Sequence, residues 1–197
     1  MRRAVDLAVA AAAAAVLAPL AAALAVAIRL TMGRPVLFRQ QRSGWHGEEF
    51  SIAKFRTMRA PRYLDEPDAV RLTKVGALLR TTSLDELPQL LNVLRGEMTL
   101  IGPRPTLPEQ VVHYSPHQRR RLEVRPGITG YAQVKGRNSI TWPERIELDI
   151  WYIDNRTLLL DLRILLLTVR NLVRRDGITG PGGVNQGFPL PDPGPEQ

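Results

Sequence analysis

The sequence predicts a mainly helical α/β domain behind an N-terminal membrane helix, and three observations predict it. Residues 4–28 form an apolar run, about 25 residues and long enough to cross a bilayer. Residues 36–41 and 50–55 have strand character and flank His46-Gly47-Glu48, the pattern of a short β-hairpin. Further on, Leu87, Leu90, Leu91 and Leu94 recur at helical spacing. A chain of 197 residues allows one domain with an appendage, and a hydrophobic share of 44% supplies its core. The chain has no cysteine, which excludes disulfides and thiolate metal sites.

A net charge of +8, from 27 Lys+Arg against 19 Asp+Glu, points to a polyanionic partner. Nucleic acid, an anionic membrane surface and phosphorylated substrates all qualify. Aromatics make up only 6% and are not interleaved with the basic residues, which argues against a stacking surface for single strands. No helix-turn-helix or zinc-finger spacing occurs, so no nucleic-acid partner is expected.

The apolar run contains one charge, Asp6. Arg2 and Arg3 precede it, and Arg29, Arg34 and Arg39 follow. Basic residues at both ends favour placing both in the cytoplasm, and Pro19 would bend the helix between them. The residue pattern leaves three readings open: a signal peptide, a straight span, and a re-entrant helix that returns to the face it entered. After the hairpin, Lys54, Arg56 and Arg59 read as a solvated basic edge. Residues 60–68 carry two prolines and read as a loop, and residues 70–80 as a short helix.

That helix leads to Ser83-Leu84-Asp85-Glu86-Leu87-Pro88-Gln89. With Asp85 as N-cap, Pro88 takes the third helical position, where its missing N–H costs little. Taken alone, Asp85 is a helix cap. Two features argue for more. Arginines lie around the pair in sequence, at Arg80, Arg104, Arg125 and Arg137, and Leu100-Ile101-Gly102-Pro103-Arg104-Pro105 is a rigid turn ending on one of them. A carboxylate pair among arginines suits a metal ion bound to a diphosphate.

Residues 108–121 are expected to be partly helical, broken at Pro116. His113 and His117 lack partners at metal-ligand spacing, and Arg119-Arg120-Arg121 reads as a solvated face that near a membrane would meet lipid phosphates. Gly127, Gly130 and Gly136 suit tight turns and close approach to a ligand. Residues 142–152 return to helix with Glu144, Glu147 and Asp149. Residues 158–173 form an apolar helix too short and charged for a comfortable span, suited to the membrane interface or to a core. The expected organisation is an apolar helix at residues 1–30, a domain at 31–180 and a disordered Gly/Pro-rich tail at 181–197.

Four ordered motifs, Lys54-Phe55-Arg56-Thr57-Met58, Ser83 to Gln89 as above, Ile101-Gly102-Pro103-Arg104-Pro105 and Arg125-Pro126-Gly127-Ile128-Thr129-Gly130, together resemble the bacterial sugar transferase family, the small monotopic polyprenyl-phosphate phosphoglycosyl transferases (undecaprenyl-phosphate sugar phosphotransferases). The likeness runs over nearly the whole chain outside the tail. It implies a re-entrant membrane helix with Pro19 at the bend, a small cytoplasmic α/β domain and interfacial amphipathic helices. Many members place a serine before that proline. Here it is Ala18, which has no hydroxyl to satisfy a freed carbonyl. Arg3 and Asp6 match an Arg-x-x-Asp pattern at the start of that helix, and an ion pair there would ease the cost of the acid near the interface.

The resemblance also implies the chemistry: transfer of a sugar-1-phosphate from a UDP-sugar donor to a polyprenyl (undecaprenyl) phosphate acceptor, as the first membrane-committed step of glycoconjugate or exopolysaccharide assembly. Asp85 would be the nucleophile, releasing UMP and leaving a phosphoglycosyl-aspartate. Glu86, with Asp85, would bind Mg²⁺. Arg80, Arg104 and Arg137 would clamp phosphates, with Lys54 and Arg56 as weaker members of that set. Membrane lipids are the implied surroundings, at the cytoplasmic face of the bacterial inner membrane, and a homodimer is left open. Two rivals stand beside this reading. A membrane-anchored basic scaffold without chemistry would bind anionic lipid or nucleic acid, and a conventional glycosyltransferase would release UDP from a larger domain.

Overall fold

The computed structural model describes residues 2–136 and 140–174. The expected tail at 181–197 and the expected phosphate ligand Arg137 lie outside them. The architecture is mainly helical α/β, with a long apolar N-terminal helix and small two-stranded sheets.

Helix α1, Arg2–Met32, is long and apolar enough to cross a membrane by length and composition, about 46 Å at 1.5 Å per residue. Pro19 lies inside it and does not end it. Lacking an N–H, it leaves the Ala15 carbonyl without its intrahelical donor. A cis Arg34–Pro35 bond follows. Strands β1 (Leu37–Ser43) and β2 (Glu49–Phe55) then pair antiparallel, Leu37 opposite Phe55 through Ser43 opposite Glu49. This is the expected hairpin.

The single helix expected at 70–80 is two: α2 (Asp68–Arg71) and α3 (Lys74–Thr82). Leu72 bridges Met58 between them, and the Thr73 side chain accepts from Gly76 N at 2.9 Å. The threonine gives the backbone a better partner as a cap than as a helix interior residue. A Cβ on Gly76 would lie 1.8 Å from the Thr57 carbonyl oxygen, so only glycine lets α3 sit directly on the strand-exit segment.

After a 3-10 turn at Leu84–Gln89 comes α4 (Leu90–Arg95). Strand β3 (Thr99–Ile101) leads through the Gly102-Pro103-Arg104 turn to α5 (Pro108–Val111) and α6 (Pro116–Arg119), which are the partial helix broken at Pro116. Strand β4 (Gly127–Thr129) pairs parallel to β3, followed by α7 (Tyr131–Lys135), α8 (Trp142–Asn155) and α9 (Leu158–Arg174). The glycines around β4 make their close approach to the chain itself. A Cβ on Gly127 would meet Gly102 N at 2.1 Å, and one on Gly130 the Gly102 oxygen at 2.2 Å. Their smallness seats the Arg104-bearing turn against β4.

Two apolar clusters fill the core, and each takes part of α1. Ala10 packs with Phe50, Ile52, Val93 and Met98, while Ile28 packs with Phe55 and Leu79. Burial of such side chains contributes about 25 cal/mol per Å². The polar end of α1 is fixed too. Arg3 donates to Val93 O at 2.7 Å and Met98 O at 3.1 Å. Asp6 accepts from Thr99 Oγ1 at 2.6 Å and Leu100 N at 3.3 Å. The expected Arg3–Asp6 ion pair is therefore replaced by two separate anchors, because the α4–β3 segment offers carbonyls to one and donors to the other. Arg2 reaches Asp161 on α9 at 3.4 Å. On α9, Leu159, Leu162, Leu166 and Val169 are exposed, an apolar stripe at helical spacing.

Candidate active site

Helix α3 ends at Ser83, whose φ of 56° is left-handed, a conformation uncommon for a residue with a Cβ. The chain turns there into the 3-10 segment, so Asp85 lies inside a turn and is not the helix cap that spacing suggested. The tight winding sets Asp85 and Glu86 side by side against the end of β2. Glu86 is the hub. Its Oε1 accepts from Lys54 Nζ at 2.6 Å and Arg104 Nη2 at 2.7 Å. Three segments far apart in sequence, β2, the acidic turn and the turn after β3, thus meet at one oxygen.

The electrostatics of the two acids differ in sign. Burial works to raise the Glu86 carboxyl, but the charges and hydrogen bonds of Arg104 and Lys54 outweigh it and hold it at about 2. Burial, then the neighbouring Glu86 charge, push Asp85 above the usual aspartate range. Burial and the Arg104 charge lower Lys54, against the pull of Glu86, whereas Glu86 raises Arg104. The outcome is an ionised, doubly clamped Glu86 beside a more basic, less solvated aspartate. A raised carboxylate pKa makes a stronger nucleophile once deprotonated.

Of the other expected phosphate ligands, Arg80 is tied by Nε to Thr57 Oγ1 at 3.0 Å. Arg56 turns back to cap α1, donating to the carbonyls of Met32 and Arg34. The structure therefore joins Lys54 and Arg104 to the acidic pair and gives Arg56 a different partner. The arginine run at 119–121 is not uniformly solvated. Arg121 is buried with Asp149: its Nε and Nη2 reach Asp149 Oδ2 at 2.9 and 2.7 Å, its Nη1 the Tyr114 hydroxyl at 2.6 Å, and Nη2 the Arg104 carbonyl at 3.2 Å. Burial opposes the Arg121 charge, and Asp149 and Tyr114 overcome it. This pair holds the backbone from which Arg104 reaches Glu86. His117 is at the surface beside Glu147 at 3.0 Å.

Sequence reasoning missed Arg42 and Arg145. Arg42 is lowered to about 10 by burial and then by the Arg104 charge, and Arg145, which lies over the Trp142 ring, is also lowered by burial and Arg104. The hairpin register held a signal for the first: pairing Phe38 with Lys54 and Arg42 with Phe50 puts Arg42 on the same face as Lys54.

Among the described residues no three His, Asp or Glu side chains cluster as a ready metal cage. The donor set still fits a hard divalent ion shared with a substrate diphosphate, because Mg²⁺ takes only one or two carboxylates and completes its shell with phosphate and water. Both cations converge on Glu86 Oε1, and Oε2, with the adjacent Asp85, remains to serve as such a ligand.

Comparison with known proteins places the chain among its relatives. The chain is similar to EpsL of Bacillus subtilis, an uncharacterized sugar transferase, at 53% identity over 154 residues, 77% of this chain and 76% of that one. It is 44% identical over 190 residues to the UDP-glucose:undecaprenyl-phosphate glucose-1-phosphate transferase of Caulobacter vibrioides, covering 89% of this chain and 70% of the other. It is 36% identical over 188 residues to the exopolysaccharide production protein ExoY of Rhizobium meliloti, covering 85% and 83%. The family model described as bacterial sugar transferase matches residues 1–175. A match over that span, with relatives of this identity and coverage, shows that the chain belongs to the bacterial sugar transferase family.

Proposed function

We propose that this protein is a phosphoglycosyl transferase that moves a sugar-1-phosphate from a UDP-sugar to undecaprenyl phosphate through an adduct on Asp85. The observation that carries the reading is the asymmetric acid pair: Glu86 clamped and ionised, Asp85 beside it with a raised pKa. The family membership and the name of the Caulobacter relative support the substrate class.

Asp85 Oδ attacks the phosphorus that bears the sugar. The bond from that phosphorus to the bridging oxygen breaks, and UMP leaves with the electron pair. A phosphate oxygen of the lipid then attacks the same phosphorus and expels the Asp85 carboxylate, which restores the enzyme. A covalent relay lets one site serve a soluble donor and a lipid acceptor in turn. Lys54 and Arg104 keep Glu86 ionised and add positive charge where the diphosphate must lie. Glu86 and Asp85 would hold Mg²⁺, which supplies charge neutralisation for the diphosphate.

The same reading places the site at the cytoplasmic face of the inner membrane, with α1 re-entrant about Pro19. Two findings support the bend. Both the Arg3 end and the Ile28 end of α1 rest on the one domain. They also pack on side chains, Phe50 and Phe55, that an odd separation along β2 points to opposite faces.

The test is a single-turnover assay. Wild type given UDP-sugar and Mg²⁺ without acceptor should release up to one UMP per site and gain the mass of a sugar phosphate on the peptide carrying Asp85. Undecaprenyl phosphate should discharge the adduct. Asp85→Asn should show neither burst nor adduct, with turnover down about a thousandfold or more. Normal transfer by Asp85→Asn, or full activity in excess EDTA, would sink the nucleophile or the metal role respectively.

A further inference from the structure

We infer that Arg42 is a donor-binding residue that grips the nucleotide-side phosphate, the one that departs as UMP. The inference rests on the phosphoglycosyl transferase reading and extends it to a residue outside the acidic pair and its clamps.

Arg42 sits on β1 near the tip of the hairpin, and its strand face is shared with Lys54. The next residue, Ser43, donates from its backbone N to Thr106 O at 2.9 Å. That bridge brings the end of β1 against the segment that follows Arg104. The guanidinium is poorly satisfied. Among the described residues its one hydrogen bond is to a neutral group, Gln40 Oε1, at 2.6 Å, and its buried Nε meets no acceptor. Among the described residues it has no carboxylate within ion-pair distance. Glu109 and Glu86 act on it from farther away, and the Arg104 charge opposes it.

A buried cation beside another cation is costly unless an anion completes it. Most arginines nearby have that anion or a carbonyl: Arg104 has Glu86, Arg121 has Asp149, Arg56 has two backbone oxygens. Arg42 is charged, half-buried on a face continuous with the reactive pair, and holds a buried N–H in reserve. A planar guanidinium with free donors suits a phosphate oxygen pair. Asp85, Glu86 and Lys54 occupy one end of the face, where the sugar-bearing phosphorus must sit for attack. The far end of the face is left for the part of the donor that leaves toward water.

UMP, common to every UDP-sugar, is the probe. In the full-length protein, UMP should raise Tm for wild type and much less for Arg42→Gln, with UMP affinity down about tenfold or more. Arg42→Lys, which keeps the charge but not the fork, should fall between. In the burst assay Arg42→Gln should raise the half-saturating UDP-sugar concentration by a similar factor with the amplitude kept. Discharge of preformed adduct by undecaprenyl phosphate should keep its rate. Without ligand, Arg42→Gln should melt no lower than wild type, since it relieves like-charge repulsion. Equal UMP binding by wild type and Arg42→Gln would overturn the inference while leaving the enzyme reading intact. A lowered unliganded Tm with unchanged half-saturation would also overturn it, assigning Arg42 to the framework. Failure of UMP to stabilise wild type, with no burst, would take down both readings.

Discussion

Two clusters of the same chemistry meet at Arg104 and differ in one respect. In the first, Arg121 and Asp149 are buried, and all three guanidinium nitrogens are engaged by Asp149, the Tyr114 hydroxyl and the Arg104 carbonyl. In the second, Glu86 receives Lys54 and Arg104 on one oxygen, Asp85 carries a charge its surroundings disfavour, and Arg42 keeps an unused buried N–H. In the closed cluster every guanidinium nitrogen is already engaged. The open one is unbalanced in both signs, and that imbalance is what an incoming diphosphate and a transferable phosphoryl group can complete. Satisfaction of polar groups, more than their identity, separates framework from site.

The comparison makes three predictions about stability. The largest effect belongs to the closed cluster. Asp149→Ala strands a buried guanidinium and should cost about 3–5 kcal/mol, read by chemical denaturation. A loss near zero would show that the pair is not a framework element. Glu86→Gln should cost less, about 1–2 kcal/mol, because its partners are partly solvated, while activity falls far more. The Glu86 contribution also has a pH signature. With a folded value of about 2 against 4.5 unfolded, its stabilisation is present above 4.5 and lost as pH falls toward 2. The gap between wild type and Glu86→Gln should close over that window.

The smallest effect has the opposite sign. Asp85 is raised above its ordinary 3.8, so its ionisation opposes folding: its contribution is present below 3.8 and lost as pH rises through the folded value. Asp85→Asn should therefore match or exceed the wild-type Tm at pH 7, with the difference disappearing in acid. A clear drop in Tm at pH 7 would show that Asp85 serves the fold.

Much of this was legible in the sequence, and the unread parts share a cause. The hairpin was visible because its pairing is local and set by one turn. The acidic pair and Arg104 were visible because unusual residue types sit in short motifs. Arg121 looked like a member of a solvated run and Asp149 like one acid among three on a helix, and only packing shows that they bury each other. Arg3 and Asp6 looked like partners at helical spacing, yet each found a better one 90 or more residues away. Strands β3 and β4, three residues each, have too little pattern to be read alone. The 3-10 turn replaced the expected cap because Ser83 takes up the left-handed position that closes α3.

The burial of both ends of α1 has a consequence for how the protein is made. Ala10 and Ile28 are fully enclosed, one in each core cluster, yet the other buried members of those clusters lie between Phe50 and Met98. The helix is translated first, and at 5–20 residues per second its partners follow by roughly several seconds. During that interval the only apolar surroundings within reach are the insertion machinery and the bilayer. The lipid-directed helix is therefore settled before the domain that clamps it exists, and the catalytic domain folds onto a wall already in place. Deleting residues 1–32 to obtain a soluble enzyme would take that wall from both clusters at once. The expected product is an aggregating polypeptide, with no smaller working transferase to recover.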